Sequence, residues 1–257
     1  MYKGAYSGDL SKMSGSRDEL IVGRVVGLWR YPVKSMGAEA LESVEVSWHG
    51  VAGDRRWAFI RPGATRSAFP WFTIRERGDM ARFVPTMTHP GLPEVSPVRV
   101  RTPSGDEYDV ADPALAAALQ PEGATVIRQG RGVFDTFPIS LISVQTIERV
   151  SELVGNQLDV QRFRPNLLVD ASGAEPFIED SWVGRELVIG GLTMRVDKRD
   201  GRCIVITIDP HTGDRSPEVL RAVADHRQGC LGVYGSTVAR GVVAIDDDVR
   251  VRSESLR

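Results

Sequence analysis

The sequence predicts a mostly β protein of mixed β/α character, with a C-terminal β-barrel that contains few helices and a smaller, β-rich N-terminal domain. Short runs of β-type residues recur along the chain, and glycine and proline interrupt them at short intervals. Such frequent interruptions are typical of a barrel or a sandwich, because alternating βαβ units would place a long helix between successive strands. Only three segments carry the pattern of a helix.

The strands are predicted from alternation and from β-branched runs. Val44, Val46 and Trp48 alternate with polar residues, which is typical of a half-buried strand. Further strands are predicted at 20–31, 57–61, 98–102, 139–143, 166–170, 186–189, 193–198, 203–208 and 238–245.

The helices are predicted from their capping residues. One begins after Ser143 as N-cap and ends at Gly155. A second opens with Ser216 as N-cap and Pro217 in the first helical position, and fades near residue 226. A short third covers the alanine-rich residues 113–118.

The turn-rich stretch 119–136 is the best candidate for a domain boundary. We therefore predict an N-terminal domain over 19–120 and a barrel domain over 125–257. Residues 1–18 are polar and lack the apolar core of a signal peptide, so they are predicted to form a disordered tail.

Composition places the chain among ordinary soluble proteins. Of its 257 residues, 42% are hydrophobic and 26% are charged, and the formal net charge is −2. This balance predicts no general affinity for nucleic acid or for an anionic membrane. No apolar run is long enough to span a bilayer. We therefore expect a cytoplasmic protein.

The two cysteines, Cys203 and Cys230, are too few for a disulfide framework, and the absence of a Cys-x-x-Cys pair argues against an iron–sulfur cluster or a structural zinc site. Cys203 follows Arg202, and a neighbouring arginine favours thiolate, the form that acts as nucleophile or metal ligand. A partly buried structural cysteine is the alternative. Cys230 is interpreted as a core cysteine, with a resolving thiol for Cys203 as the alternative.

Four polar clusters interrupt otherwise apolar segments. Each alone is explained by a surface charge or a local ion pair, which usually contributes little. Together they place lysine, arginine, serine and threonine at strand ends in both halves of the chain, as a phosphate-bearing ligand requires. The clusters are Lys34-Ser35, Asp54-Arg55-Arg56, Thr73 with Arg75, and Arg164 with Asn166.

Four motifs in series resemble the MOSC family with its N-terminal MOSC β-barrel domain, the family that contains the mitochondrial amidoxime-reducing component. They are YPVKS at 31–35, GDRRW at 53–57, FRPN at 163–166, and Arg202-Cys203 followed by DP-x-TG at 209–213. The resemblance runs from about residue 20 to the C-terminus.

The resemblance implies a molybdenum cofactor, a molybdopterin whose pterin carries a phosphate, held between the two domains with Cys203 as metal ligand and catalytic residue. The cofactor-binding residues that it implies, the last four by weaker alignment, are Lys34, Ser35, Arg55, Arg164, Asn166, Arg202, Thr73, Arg75, Ser143 and Tyr234. Gly201 and Ile206 stand where related sequences carry serine and threonine, which could alter the surroundings of the metal.

The resemblance further implies an oxidoreductase that reduces N-hydroxylated compounds or transfers oxygen atoms to or from a small-molecule substrate. The sequence has no flavin, haem or cluster motif, so the electrons would come from a separate donor protein. Two alternatives stay open: a sulfur-transfer protein that carries a persulfide on Cys203, and a cofactor carrier without turnover.

Overall fold

The computed structural model describes residues 19–252 except positions 65 and 121. The tail predicted at 1–18 lies outside the described residues. Within them the chain is mostly β, as predicted, with three α-helices: α1 Pro113–Leu119, α2 Val144–Val154 and α3 Pro217–Arg227. None of the helices in this part of the chain has both the length and the apolar character needed to cross a bilayer.

The strands are short, and four 3-10 helices lie between them. The strands are β1 Glu19–Arg30, β2 Glu39–Ala40, β3 Ser43–Ser47, β4 Gly50–Val51, β5 Trp57–Ile60, β6 Trp71–Phe72, β7 Val84–Met87, β8 Val98–Arg101, β9 Glu107–Asp109, β10 Thr125–Arg128, β11 Ile139–Ser143, β12 Leu167–Asp170, β13 Glu186–Ile189, β14 Leu192–Gly201, β15 Cys230–Ala239, β16 Gly241–Ala244 and β17 Asp248–Arg252. The 3-10 helices are Gly78–Arg82, Val160–Arg162, Ile178–Trp182 and Ile204–Thr207.

Seven strands close into a barrel in the order β12-β11-β15-β14-β13-β17-β1, and β1 then pairs with β12. The pair β11–β12 is parallel, and the other pairs around the barrel are antiparallel. Closure leaves no exposed edge strand. The interior is an apolar cluster that includes Val25, Leu141 and Val169.

The first described strand therefore belongs to the barrel, although it ends at Arg30 and the next barrel strand, β11, begins only at Ile139. The hairpin β3–β4 likewise pairs with β16, which directly follows the barrel strand β15. A second apolar core forms under the sheets β10-β5-β6 and β7-β8-β9, with Phe59, Met80 and Leu115 among its residues. The two halves of the sequence thus interleave, through β1 in the barrel and through the pairing of β3 with β16.

The helix predictions are confirmed in position, with one difference at a cap. The side chain of Ser143 accepts a hydrogen bond from the backbone of Thr146, and Gly155 ends α2 in the left-handed conformation. Ser216 precedes α3 but makes no side-chain capping hydrogen bond. Pro217, which lacks an amide hydrogen, opens that helix.

Two strand predictions are wrong in detail. Residues 204–207 of the predicted strand 203–208 form a 3-10 turn, with the amide of Ile206 donating to the Cys203 carbonyl at 3.2 Å. The predicted strand 238–245 is broken at Arg240, where β15 leaves the barrel and β16 turns to pair with β3.

Candidate functional site

A cavity of about 270 Å³ lies between the barrel and the N-terminal β-rich region. Its walls come from the loops after β1, β4 and β6, from residues 134–137 and 162–166, from the end of β14 with the residues after it, and from Tyr234 in β15. It brings together nine of the residues named from the sequence: Lys34, Ser35, Arg55, Arg75, Arg164, Asn166, Arg202, Cys203 and Tyr234.

Three of these residues have a strained backbone. Ser35, Arg55 and Arg164 have φ values of 70°, 49° and 54°, in the left-handed region that non-glycine residues seldom occupy. Such conformations persist only where the surroundings enforce them, and they cluster at ligand sites. Here they turn the backbone at the wall of one cavity.

Cys203 is exposed at the start of the 3-10 turn, and both cysteines are free thiols. The arginine at its sulfur is Arg75, whose Nη2 donates to Sγ at 3.5 Å. Arg202, the neighbour in sequence, donates instead to the carbonyls of Leu231 and Phe163, at 2.7 and 2.8 Å. The expectation that Arg202 favours the thiolate is therefore corrected, because its side chain is directed into the protein.

Asp135 links two of the cavity's cations. Its carboxylate forms an ion pair with Lys34 and accepts a hydrogen bond from Arg75 Nη2 at 2.9 Å. Burial would raise the pKa of Asp135, but Lys34 and Arg75 outweigh burial and hold that pKa below its usual value. Burial lowers the pKa of Lys34, against the attraction of Asp135. Nothing in the sequence marks Asp135 except its place in a turn-rich stretch.

The ring of Tyr31 makes cation–π contacts with two arginines, one from each half of the chain. The guanidinium carbons of Arg55 and Arg164 lie 4.6 and 4.3 Å from the ring centroid. Arg55 also forms an ion pair with the fully buried Asp54. Burial lowers the pKa of Arg164 to about 10, so its guanidinium remains charged at neutral pH.

Asp200, Arg202 and Tyr234 form a polar group on the barrel side of the cavity. Arg202 Nη1 lies 2.9 Å from Asp200 Oδ2. Burial raises the pKa of Asp200 despite the charge of Arg202, and burial together with the Asp200 carboxylate raises the pKa of Tyr234. The three side chains thus hold one another in place at the barrel end.

Asn166 and Arg162 line the cavity but serve mainly to fix its walls. Asn166 Nδ2 donates to the Trp29 carbonyl at 3.2 Å, and its Oδ1 accepts from the Ser140 amide at 3.2 Å. Arg162 Nη1 donates to the Thr207 carbonyl, and its Nη2 to Asp209, both at 2.9 Å. Arg162 therefore fixes the 3-10 turn that follows the cysteine.

Thr73 and Ser143 do not line the cavity. Both side chains are buried, and their hydroxyls make local bonds: Thr73 donates to Glu76 at 2.6 Å, and Ser143 to Glu179 at 2.9 Å. Cys230 is half-buried at the start of β15, where it pairs with Gly201.

The cavity has an excess of positive charge, which favours binding of an anion. Six basic residues line it, against two carboxylates, Asp135 and Asp200. In the described part of the chain, Arg164 alone of the six forms no ion pair with a carboxylate, and its Nη2 is buried without a hydrogen-bond partner. Arg202 Nη2 and Ser140 Oγ are buried and unpartnered as well. Such atoms are costly unless a ligand satisfies them.

Two family models cover this fold from end to end. The MOSC N-terminal beta barrel domain matches residues 22–133, and the MOSC domain matches residues 128–250. The chain belongs to the MOSC family. The motifs that indicated this family in the sequence lie within the matched ranges and supply the walls of the cavity.

Named relatives of this MOSC protein fall into two groups. Mitochondrial amidoxime-reducing component 1 from Mus musculus is 25% identical over 293 residues, covering 89% of this chain and 82% of the relative. The molybdenum cofactor sulfurase of Caenorhabditis briggsae is 24% identical over 82% of this chain, and that of Danio rerio is 43% identical over 29% of it. The chain matches only 32% and 9% of the lengths of these two sulfurases.

A solved structure shares the fold. The YUAD protein from Bacillus subtilis aligns with a TM-score of 0.53 and 14% identity, covering 93% of this chain and 99% of its own.

Proposed function

We propose that the cavity binds a molybdenum cofactor and that Cys203 is its protein ligand. The observation that carries the proposal is Arg164, a charged guanidinium without a carboxylate partner and with a buried, unpartnered Nη2. An arginine in this state is suited to a phosphate, which accepts two parallel hydrogen bonds. Lys34 and Arg55 line the same cavity, so the phosphate of a molybdopterin would meet several cations.

Cys203 has the chemistry that a molybdenum ligand needs. A thiolate is a soft ligand, suited to a sulfur-rich metal centre. The exposed Cys203 faces a cavity in which Arg75 donates a hydrogen bond to its sulfur. The described residues contain no group of three His, Cys, Asp or Glu side chains that could hold a metal by themselves, so the other ligands would come from the cofactor.

We propose further that the protein is an oxidoreductase that reduces N-hydroxylated compounds or transfers oxygen atoms. The bound molybdenum would supply the two-electron chemistry. The protein's own residues would hold the cofactor between the two halves of the chain and keep Cys203 open to a small-molecule substrate. A separate donor protein would supply the electrons, as expected from the sequence.

The test compares wild type with Cys203→Ala, with Cys230→Ala as the matched control. Protein from a cofactor-competent host is analysed for molybdenum, for its absorption spectrum and for amidoxime reduction with an artificial electron donor. We expect wild type and Cys230→Ala to contain molybdenum and to turn over, and Cys203→Ala to lose turnover while it keeps its fold. Full activity of metal-bound Cys203→Ala would refute the ligand assignment.

Sulfur transfer is the second candidate. The accessible Cys203 sulfur beside Arg75 suits a persulfide carrier, and some relatives are named molybdenum cofactor sulfurase. A persulfide on Cys203 seen by mass spectrometry in protein that lacks molybdenum would favour this function. Molybdenum bound without turnover on any N-hydroxylated substrate would favour a cofactor carrier.

A further inference from the structure

A second cavity, which the proposed function does not use, adjoins the first at Arg164. Its volume is about 460 Å³, within the range of about 300–1,000 Å³ typical of small-molecule sites. Arg164 lines both cavities, and Gln161 and His211 lie beside it in the second. The rest of the wall is formed by Gly37, Ala38 and Ala40 and by the segments around Arg82 and Arg101.

The charge of the second cavity is entirely positive. Arg82, Arg101 and Arg164 line it, and no aspartate or glutamate is among the described residues of its wall. Two neighbouring carboxylates have partners of their own: Asp79 accepts from Arg77 at 2.6 Å, and Asp159 contacts His211, a residue of the cavity wall, at 2.8 Å.

Arg82 and Arg101 are both exposed and make no ion pair in the part of the chain that the structure describes. Glu107 faces Arg101 in the β8–β9 register, yet it forms no ion pair with it. Three arginines without a carboxylate partner therefore border one space, an arrangement that lowers the potential energy of an anion there.

An aromatic side chain completes the wall. Trp29, at the end of β1, is half-buried and lines the second cavity. The indole of Trp29 packs against Gly27, which has no side chain. A Cβ at position 27 would come within 2.2 Å of the indole ring. The ring is thus held at the cavity wall, where an indole offers a face for stacking to a planar group.

We propose that this cavity binds a nucleotide, with its phosphate among Arg82, Arg101 and Arg164 and its base against Trp29. Arginine supplies the forked donors that phosphate oxygens accept, and the indole supplies a surface for any of the bases. A ligand here would share Arg164 with the first cavity. Binding does not depend on the cysteine or on a metal.

The experiment measures binding of AMP, adenosine and inorganic phosphate to the full chain by calorimetry and by tryptophan fluorescence. We expect AMP to bind and to quench Trp29, with adenosine and phosphate each binding at least tenfold more weakly. Each of Arg82→Ala and Arg101→Ala should weaken AMP binding about tenfold to a hundredfold, the range for loss of a charge-assisted hydrogen bond. Trp29→Phe should abolish the quenching.

Arg99→Ala is the matched control. Arg99 lies two residues before Arg101 on β8, is also exposed, and does not line the cavity. AMP affinity should be unchanged in this variant. Failure of AMP to bind wild type, or equal losses in Arg99→Ala and Arg101→Ala, would overturn the proposal, as would phosphate binding as tightly as AMP. Molybdenum content, measured in the same variants, tests the first cavity separately.

Discussion

At the scale of single residues, Arg164 gives the cleanest test of the cofactor site. Replacing it by alanine breaks no ion pair in the described residues and removes only its packing on the Tyr31 ring. We expect Arg164→Ala to weaken cofactor retention about tenfold to a hundredfold, the value of a charge-assisted hydrogen bond of about 1.5–3 kcal/mol. The measurement is molybdopterin retained after gel filtration.

Arg149→Ala is the control for that experiment, because Arg149 is an exposed arginine on α2 whose one ion pair among the described residues is with Glu152. Its cofactor content should equal that of wild type. Equal retention in Arg164→Ala would mean that Arg164 is structural. Arg55→Ala is a poorer probe of cofactor binding, because it leaves the fully buried Asp54 without its ion-pair partner. Loss of one partner of a buried ion pair commonly costs about 3–5 kcal/mol of stability.

Asp135 predicts a dependence of stability on pH. Its pKa is held below its usual value, so its ion pairs stabilise the protein above about pH 3.9 and this contribution disappears as pH falls through the depressed pKa. Asp135→Asn should therefore be less stable than wild type at neutral pH, and equally stable below that pKa. The difference should stay below about 1 kcal/mol, because the carboxylate is 41% exposed and solvent screens it.

Urea denaturation over a series of pH values measures this difference. Asp225→Asn is the control, since Asp225 is an exposed carboxylate on α3 without an ion pair in the described residues. A gap between wild type and Asp135→Asn that persists in strong acid would contradict the assignment.

The sequence identified most of the residues of the site, because their motifs place polar side chains at the ends of apolar strands. Thr73 and Ser143 were named by alignment, but local partners use their hydroxyls: Glu76 for the first and Glu179 for the second. Asp135 is not identified from the sequence because it lies in a loop, where no periodicity marks a side chain whose partner, Lys34, is 101 positions away.

At the scale of elements, the 3-10 turn 204–207 shows why a short apolar run is ambiguous. Four to eight apolar residues fit a buried strand, and no periodicity distinguishes it from a helical turn. Here the deciding contact is distant in sequence, since Arg162 donates to the carbonyls of Ile206 and Thr207 at 3.4 and 2.9 Å. The break at Arg240 likewise depends on the pairing of β16 with β3.

We therefore predict that Arg162→Met loosens the turn that carries Cys203. Loss of a hydrogen bond from a charged donor costs about 1.5–3 kcal/mol, so amide exchange in residues 204–208 should accelerate about tenfold to a hundredfold. Hydrogen-exchange mass spectrometry measures this change, with barrel peptides as the internal reference. The control is Arg195→Met, which changes an exposed arginine on β14 and should leave amide exchange at 204–208 unaltered. If Arg162→Met also leaves this exchange unaltered, the turn is held by local bonds alone.

At the scale of the whole molecule, the chain is mostly β as its turn spacing predicted, yet the barrel does not begin where the sequence suggested. The family models meet between residues 128 and 133, near the predicted boundary. The barrel nevertheless takes β1 from the other end of the chain. Strand pairing over such a separation leaves no local signal, because alternation reports which face of a strand is buried and not which strand lies beside it.

The consequence is that residues 125–257 should not fold by themselves. Without β1, the strands β12 and β17 become open edges and the interior loses Val25 and Leu28, each worth about 1.5–3 kcal/mol when buried. We expect this fragment to show no cooperative thermal transition by circular dichroism.

A permuted chain is the control. Glu19 lies opposite Arg252 in the antiparallel β1–β17 pair, so a two-residue turn can join the end of β17 to the start of β1. Residues 125–252 followed by this turn and residues 19–31 contain every strand of the barrel, and cooperative unfolding should return. If both fragments unfold at the same temperature with the same cooperativity, β1 is dispensable and the barrel domain does begin near residue 125. If only the permuted fragment folds, the unit that folds is the closed ring of strands, and the first strand of the chain is part of it.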